Sequence, residues 1–161
     1  MSVAKVREYL KAYGVEDRMR EFEVSSATVE LAALAVGVEG ARIAKTLSFK
    51  VGEEPILIVA AGDAKIDNSK YKHYYHAKAK MLTFDEAVER IGHAPGGVCP
   101  FATNEGVKVY LDESLKRFQT VFPACGSSNS AIELTLAELE THSAALSWVD
   151  VCKGWREEEL A

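Results

Sequence analysis

Apolar positions recur along the chain with two periods, and the changes of period mark out its elements. Val3, Val6, Leu10 and Tyr13 fall at helical spacing before Gly14, which predicts an amphipathic helix over 2–13. A strand is predicted over Met19 to Val24. Thr28 is placed to cap a second helix that runs through Val36 and stops at Gly37. From Lys45 the pattern alternates, so Leu47, Phe49 and Val51 form an inward file while Thr46, Ser48 and Lys50 point outward. After a turn at Gly52-Glu53-Glu54-Pro55, Ile56 to Ala61 is a continuous apolar run, short enough for a central strand buried on both faces.

In the second half, Asp67 is placed to cap a short helix carrying Tyr71, Tyr74 and Tyr75. Thr83 and Glu86 have capping-box spacing for a helix through Ile91, and Thr135 with Glu138 repeats it for a helix to about His142. Gly92 to Pro100 is a loop rich in glycine and proline. Val107, Val109 and Leu111 alternate as a strand. Gln119 to Ala124 and Ala131 to Leu134 predict two more, joined by Cys125-Gly126-Ser127-Ser128-Asn129-Ser130; Leu146, Trp148 and Val151 suggest a final extended segment. Several strand connections are too short for parallel crossovers. With no repeat and no linker, the expectation is one α+β domain over 1–161, a mixed sheet flanked by helices.

Charge narrows the partners. The 161 residues carry a net charge of −5, a poor footprint for gripping a long phosphate backbone unaided. Contact with the end of a nucleic acid needs only a few well-placed cations and remains open. Glu157, Glu158 and Glu159 read as a solvated tail. The three cysteines, Cys99, Cys125 and Cys152, form no CxxC pair, so neither a disulfide framework nor a thiolate zinc site is expected. No signal-like apolar core opens the chain and no stretch is long enough to cross a membrane, which makes a reducing cytoplasm the expected compartment.

The chemistry-bearing groups gather at strand ends. Lys45 has the parity of the inward apolar file, which either aims its ammonium into a cleft or simply ends a strand. Near it in pattern are Gly62-Asp63-Ala64-Lys65-Ile66-Asp67, Gly96-Gly97-Val98-Cys99-Pro100 and the serine-rich loop 126–130. Glycine admits close backbone approach, and its amides can be aimed at an anion or a polarised carbonyl. Asp63 fits a loop organiser better than a general base. Ser127, Ser128, Asn129 and Ser130 suit either ribose and phosphate or their own turn. Cys99 with His93 is the sharper alternative, a covalent nucleophile with a base, set against an ordinary buried cysteine. His73 and His76 alone do not make a metal site. Lys65, Lys70, Lys72, Lys78 and Lys80 are the one local basic concentration, either a nucleic-acid patch or a solvated face.

Taken together, Ala27-Thr28-Val29-Glu30, Ile43-Ala44-Lys45-Thr46-Leu47, Gly62 to Asp67, Gly96 to Pro100 and Gly126 to Leu134 resemble the YbaK/EbsC, or prolyl-tRNA editing, family over about 25–152. These are free-standing relatives of the editing insertion of bacterial prolyl-tRNA synthetase. The resemblance implies a compact mixed sheet, partly closed like a barrel. It also implies hydrolysis of the ester that joins a wrong amino acid to the 3′ terminal adenosine of a tRNA. The family's functional lysine falls on Lys45 and its glycine-x-x-x-proline motif on Gly96 to Pro100. Substrate contacts are implied for Thr46, Asp63, Lys65, Asp67, Gly97, Pro100, Gly126, Ser127, Ser128, Asn129 and Ser130. Free-standing members often carry Gly-Gly-Cys-Ser-Pro where this chain has Gly-Gly-Val-Cys-Pro.

The expected reaction is deacylation in trans, probed most simply on tRNA(Pro) carrying a small amino acid such as Cys or Ala. Lys45 would hold the terminal phosphate or the ester end, and the Gly96 and Gly97 amides would face the oxyanion. The tRNA acceptor end is the expected partner, with prolyl-tRNA synthetase as a second. No metal or other cofactor is called for. The competing reading is a non-catalytic module that binds the aminoacyl-adenosine end or a synthetase.

Overall fold

The computed structural model describes residues 2–94 and 96–156, so the predicted tail at Glu157–Glu159 lies outside the described residues. In chain order the elements are α1 (Ser2–Lys11), β1 (Arg20–Glu21), α2 (Val29–Val36), β2 (Ile43–Val51), β3 (Glu54–Ala61), β4 (Lys65–Ile66) and α3 (Asn68–Tyr75). They continue with α4 (Phe84–Glu86), β5 (Lys108–Asp112), β6 (Thr120–Pro123), β7 (Ser130–Ala131), β8 (Leu134–Thr135), α5 (Leu136–His142), β9 (Ser147–Val149) and β10 (Cys152–Lys153). Six strands in the order β8-β6-β2-β3-β5-β9 make one mixed sheet that curls into a half-barrel. The α+β class expected from the sequence is the one found.

The sheet is built outward from a hairpin. β2 and β3 pair antiparallel from Ala44 opposite Ala61 to Val51 opposite Glu54. β5 lies parallel to β3, β9 parallel to β5, and β6 parallel to the start of β2. Ile56, Leu57, Ile58 and Val59 on β3 are almost wholly buried, as the unbroken apolar run required. Each contributes about 1.5–3 kcal/mol of burial. Tyr71 pins α3 to the sheet with its ring 5.2 Å from that of Phe49.

Side-chain caps set where the helices start. Thr28 Oγ1 accepts from the Leu31 amide at 3.1 Å, and Asp67 accepts from the Ser69 and Lys70 amides. Both capping boxes close, at Thr83/Glu86 and Thr135/Glu138. Losing such a cap typically costs about 1 kcal/mol.

Four expectations need correction. The strand over 19–24 is only Arg20–Glu21: at the next pair the Asn129 amide turns to Ser127 Oγ at 3.3 Å, so the Phe22 carbonyl accepts from the Asn129 side chain instead of its backbone. The strand over 131–134 is split between β7, paired with β1, and β8, paired with β6. Pro123 supplies the reason: Ile132 N donates to its carbonyl at 3.0 Å, but proline has no N–H to return the bond. The helix through Ile91 widens after Glu86 into a π turn over Ala87–Ile91. Ser48, assigned to the outward file, is buried; the segment 80–82 runs along that edge, with Leu82 N donating to Ser48 O and Lys50 N to Lys80 O.

Candidate functional site

Where α2 starts beside the first residues of β2, a hollow of about 250 Å³ opens. Ala32, Ile43 and Phe122, a small apolar cluster of their own, form part of its lining. Lys45, Thr46 and Leu47 enter from β2, Gly96 and Val98 from the glycine loop, and Ala124, Ser130 and Ala131 from the last loop and β7. Ser26, Ala27, Thr28 and Val29 complete it. A small, mostly apolar hollow with few polar groups suits a compact ligand moiety held in one orientation.

Lys45 is half-buried at this hollow, and its Nζ donates to the carbonyls of Ala64 and Gly62, the latter at 3.4 Å. Burial pushes its pKa below the usual lysine range; Cys152 and Asp63 pull the other way, and Lys65 adds to the lowering. An ammonium has three donors, so one remains after two carbonyls are served. Gly62 makes the arrangement sterically feasible. A Cβ there would sit 2.1 Å from Gly40 O and 2.7 Å from Val29 Cγ1, so only glycine lets the loop approach α2 this closely.

Gly96 also lines the hollow, with φ +93°, and a Cβ there would meet Ala27 and Ser128 at 3.6 Å. Two hydroxyls of lining residues, Ser26 Oγ and Thr46 Oγ1, are buried with no hydrogen-bond partner among the described residues. Ser26 to Val29 carry no expected site role from sequence, although Ala27-Thr28-Val29-Glu30 is part of the signature; Thr28 there reads as a helix cap, and the same stretch also lines the hollow.

Of the residues singled out from sequence, Lys45, Thr46, Gly96 and Ser130 line the hollow and the rest do not. Gly97 is a correction. Its amide donates to Ala94 O at 3.0 Å, and its α-carbon abuts the Gly126–Ser127 backbone, so it closes a turn instead of facing a ligand. Gly126 packs under the Ser2 carbonyl and Val6 of α1, and Pro100 is buried. Asp63 is held by a two-pronged ion pair from Arg117, at 2.9 and 2.5 Å, which fits the organiser reading and not a general base. Asp67 caps α3, and Lys65 is exposed.

The serine-rich loop satisfies itself. Ser127 Oγ lies 2.8 Å from both Asn129 Oδ1 and Ser130 Oγ, the Cys125 amide donates to Ser130 Oγ, and Asn129 Nδ2 donates to Phe22 O. Ser128 is exposed, and its carbonyl accepts from the Ser26 amide at 2.6 Å. The lysine cluster also disperses. Lys70 reaches Asp150 and Cys152 O, whereas Lys72 and Lys78 line a separate groove with Asn68 and Ser69.

Cys99 and His93 do meet, Sγ to Nε2 at 3.6 Å, but both are sealed in the core. His93 Nε2 is also 2.7 Å from Phe101 O, so it must carry the proton and donate there. A protonated Nε2 cannot take the thiol's proton, and Cys99 Sγ itself turns to the same carbonyl. Burial pushes the thiol up to about 12 and His93 below its usual value. This is the opposite of an activated pair. His76 ends α3 in the left-handed region, and no cluster of three or more metal-ligating side chains occurs among the described residues.

Residues 23–141 match the model of a family described as the aminoacyl-tRNA editing domain, and the chain belongs to that family. It is 56% identical over 156 residues to YwhH of Bacillus subtilis, an uncharacterized protein, covering 96% of this chain and 99% of that one. It is 28% identical over 90 residues to the proline–tRNA ligase of the same organism, covering 55% of this chain but only 16% of the ligase. A solved structure described as that of a candidate trans-editing enzyme for prolyl tRNA synthetase superposes with a TM-score of 0.85 at 29% identity, over 95% of this chain and 98% of that one. Among the described residues no helix is long and apolar enough to cross a membrane.

Proposed function

We propose that the chain, acting as one editing domain over 1–161, is an aminoacyl-tRNA deacylase that works in trans in the cytoplasm. The substrate is tRNA, with tRNA(Pro) carrying Cys, Ala or another small amino acid as the first choice. The observation that carries the reading is the convergence of Lys45 and Gly96 on one hollow of about 250 Å³, a size that suits a small aminoacyl group.

An aminoacyl ester is already activated, so its hydrolysis needs orientation and charge stabilisation more than a strong nucleophile. Lys45, fixed by the Ala64 and Gly62 carbonyls, presents its remaining N–H to the ester end or the terminal phosphate. The Gly96 amide faces the developing oxyanion, without help from Gly97, whose amide is engaged. A positioned water, or the substrate's own hydroxyl or thiol, attacks. The free hydroxyls of Ser26 and Thr46 are suited to orienting the substrate's ammonium or a polar side chain. The relation to proline–tRNA ligase favours prolyl-tRNA synthetase as a working partner.

The test is a deacylation panel of mischarged tRNAs with wild type and Lys45→Ala side by side. Loss of a well-aimed donor costs on the order of 3 kcal/mol, so the variant should turn over at least about a hundredfold more slowly. Its melting curve separates this from unfolding. Normal turnover in a folded Lys45→Ala protein removes the assignment; binding without turnover by the wild type makes the chain a non-catalytic recognition module.

A further inference from the structure

Beyond the hollow, the most unusual charge arrangement lies where β4 and β10 meet. The two strands pair antiparallel with Lys65 directly opposite Lys153, and both side chains are exposed. Like charges directly opposite destabilise a strand pair. Among the described residues neither lysine has a carboxylate within ion-pair distance. The neighbouring cations are tied down: Arg117 to Asp63, Lys70 and Arg156 to Asp150. Arg117 and Arg156 are also braced against the Trp155 ring, at 5.2 and 4.2 Å. Lys116 stands over Trp148, 4.7 Å from its ring centre. In a chain of net charge −5, this is a local excess of cations.

The surface joins the hollow. Lys65 is close enough to Lys45 to lower its pKa, and the loop that carries Lys65 is the one whose carbonyls hold the Lys45 ammonium. We propose that Lys65 and Lys153 form a phosphate-binding pair for the single-stranded 3′ end of an RNA whose terminal ester occupies the hollow. The inference rests on the deacylase reading for what fills the hollow, but RNA binding by this surface is measurable without it. Directly opposed residues on antiparallel strands have α-carbons about 5 Å apart, and mutual repulsion splays their ammonium groups further. Successive phosphates of an extended strand would neutralise both and relieve the repulsion. Of the basic run read from sequence only Lys65 belongs to this pair: Lys70 is neutralised by Asp150, Lys72 and Lys78 line a separate groove, and Lys153 is no part of that run.

The experiment measures binding of two short RNA hairpins, one with a single-stranded 3′ tail and one blunt, across a salt series. Proteins are wild type, Lys65→Ala/Lys153→Ala, and Lys72→Ala/Lys78→Ala. The first double variant should bind the tailed hairpin at least about tenfold more weakly. Its salt slope should fall by about 1.4, the loss of two single-strand phosphate contacts. The Lys72/Lys78 variant should match wild type. Melting curves of the Lys65/Lys153 variant separate lost contacts from unfolding. Unchanged affinity and slope in that variant, or equal binding of the blunt hairpin, overturns the proposal. If the wild type binds the tail as described yet hydrolyses no ester, the deacylase reading fails while the RNA surface stands.

Discussion

The loop from Gly92 to Pro100 serves two places of opposite character. At Gly96 it borders the hollow that Lys45 also lines; at His93 and Cys99 it is sealed into the core. In sequence both ends offer chemistry: Gly96 as the expected backbone contact, and His93 with Cys99 as the alternative, a thiol beside a base. Burial separates them. The thiol that touches a histidine is pushed up to about 12, while the lysine that touches only carbonyls keeps a donor at the hollow. Contact between reactive groups is therefore a poor guide when solvent and substrate cannot reach them.

Three measurements sharpen this contrast beyond the Lys45 and Lys65/Lys153 variants. The largest effect is expected on the hollow side. Gly62→Ala forces a methyl group against the Gly40 carbonyl, an overpacking cost of about 2 kcal/mol. For a chain of this length that lowers the melting temperature by roughly 6 °C. It should also reduce deacylation by displacing the carbonyl that holds Lys45. A thermal scan with the same assay reads both, and an unaffected melting point would mean the loop yields freely. On the sealed side, Cys99→Ala should cost about 1 kcal/mol by loss of buried volume yet leave turnover within about twofold. Turnover that collapses in this variant while the protein stays folded would restore the thiol to the mechanism.

The smallest effect belongs to a pair in neither region. Arg18 Nη2 lies 2.9 Å from Glu138 Oε2 and, with the Thr135 amide, holds that carboxyl at about 2, down from 4.5. A depressed carboxylate stabilises the fold above its unfolded pKa and loses that contribution as pH falls through the folded one. Arg18→Ala should therefore cost on the order of 0.5 kcal/mol at neutral pH, because the pair is largely exposed. The difference from wild type should shrink as pH drops from about 4.5 to 2. Urea midpoints across that range check it; a constant difference would assign the cost to lost packing instead.

Local signals were legible. The period change at Lys45, the unbroken run from Ile56 and both capping boxes each depend on residues a few positions apart, and each is found. What stayed hidden depends on pairs distant in sequence. Arg117 reaches back to Asp63, Lys153 lies across from Lys65, and the Phe22 backbone joins that of Asn129. Each of these bears on a site residue: the Arg117 pair fits Asp63 as the loop organiser expected from sequence, Lys65 faces a second cation, and the serine loop satisfies its own turn. Pro123 could have been read, since a proline inside a predicted strand limits what its partner can be. The Gly97 amide could not, because only the turn's closure onto Ala94 engages it.

The β2–β3 hairpin has a consequence for how the chain assembles. Its strands are joined by a short turn, whereas β3–β5, β5–β9 and β2–β6 must each close a long crossover. Loop closure over few residues carries the smaller entropic barrier, so local pairing precedes the distant ones. Lys45 and the carbonyls that receive it, 17 and 19 positions downstream, sit at the two free ends of that hairpin. The cation is thus anchored by the part of the polypeptide that can order first, before the crossovers that complete the walls around it.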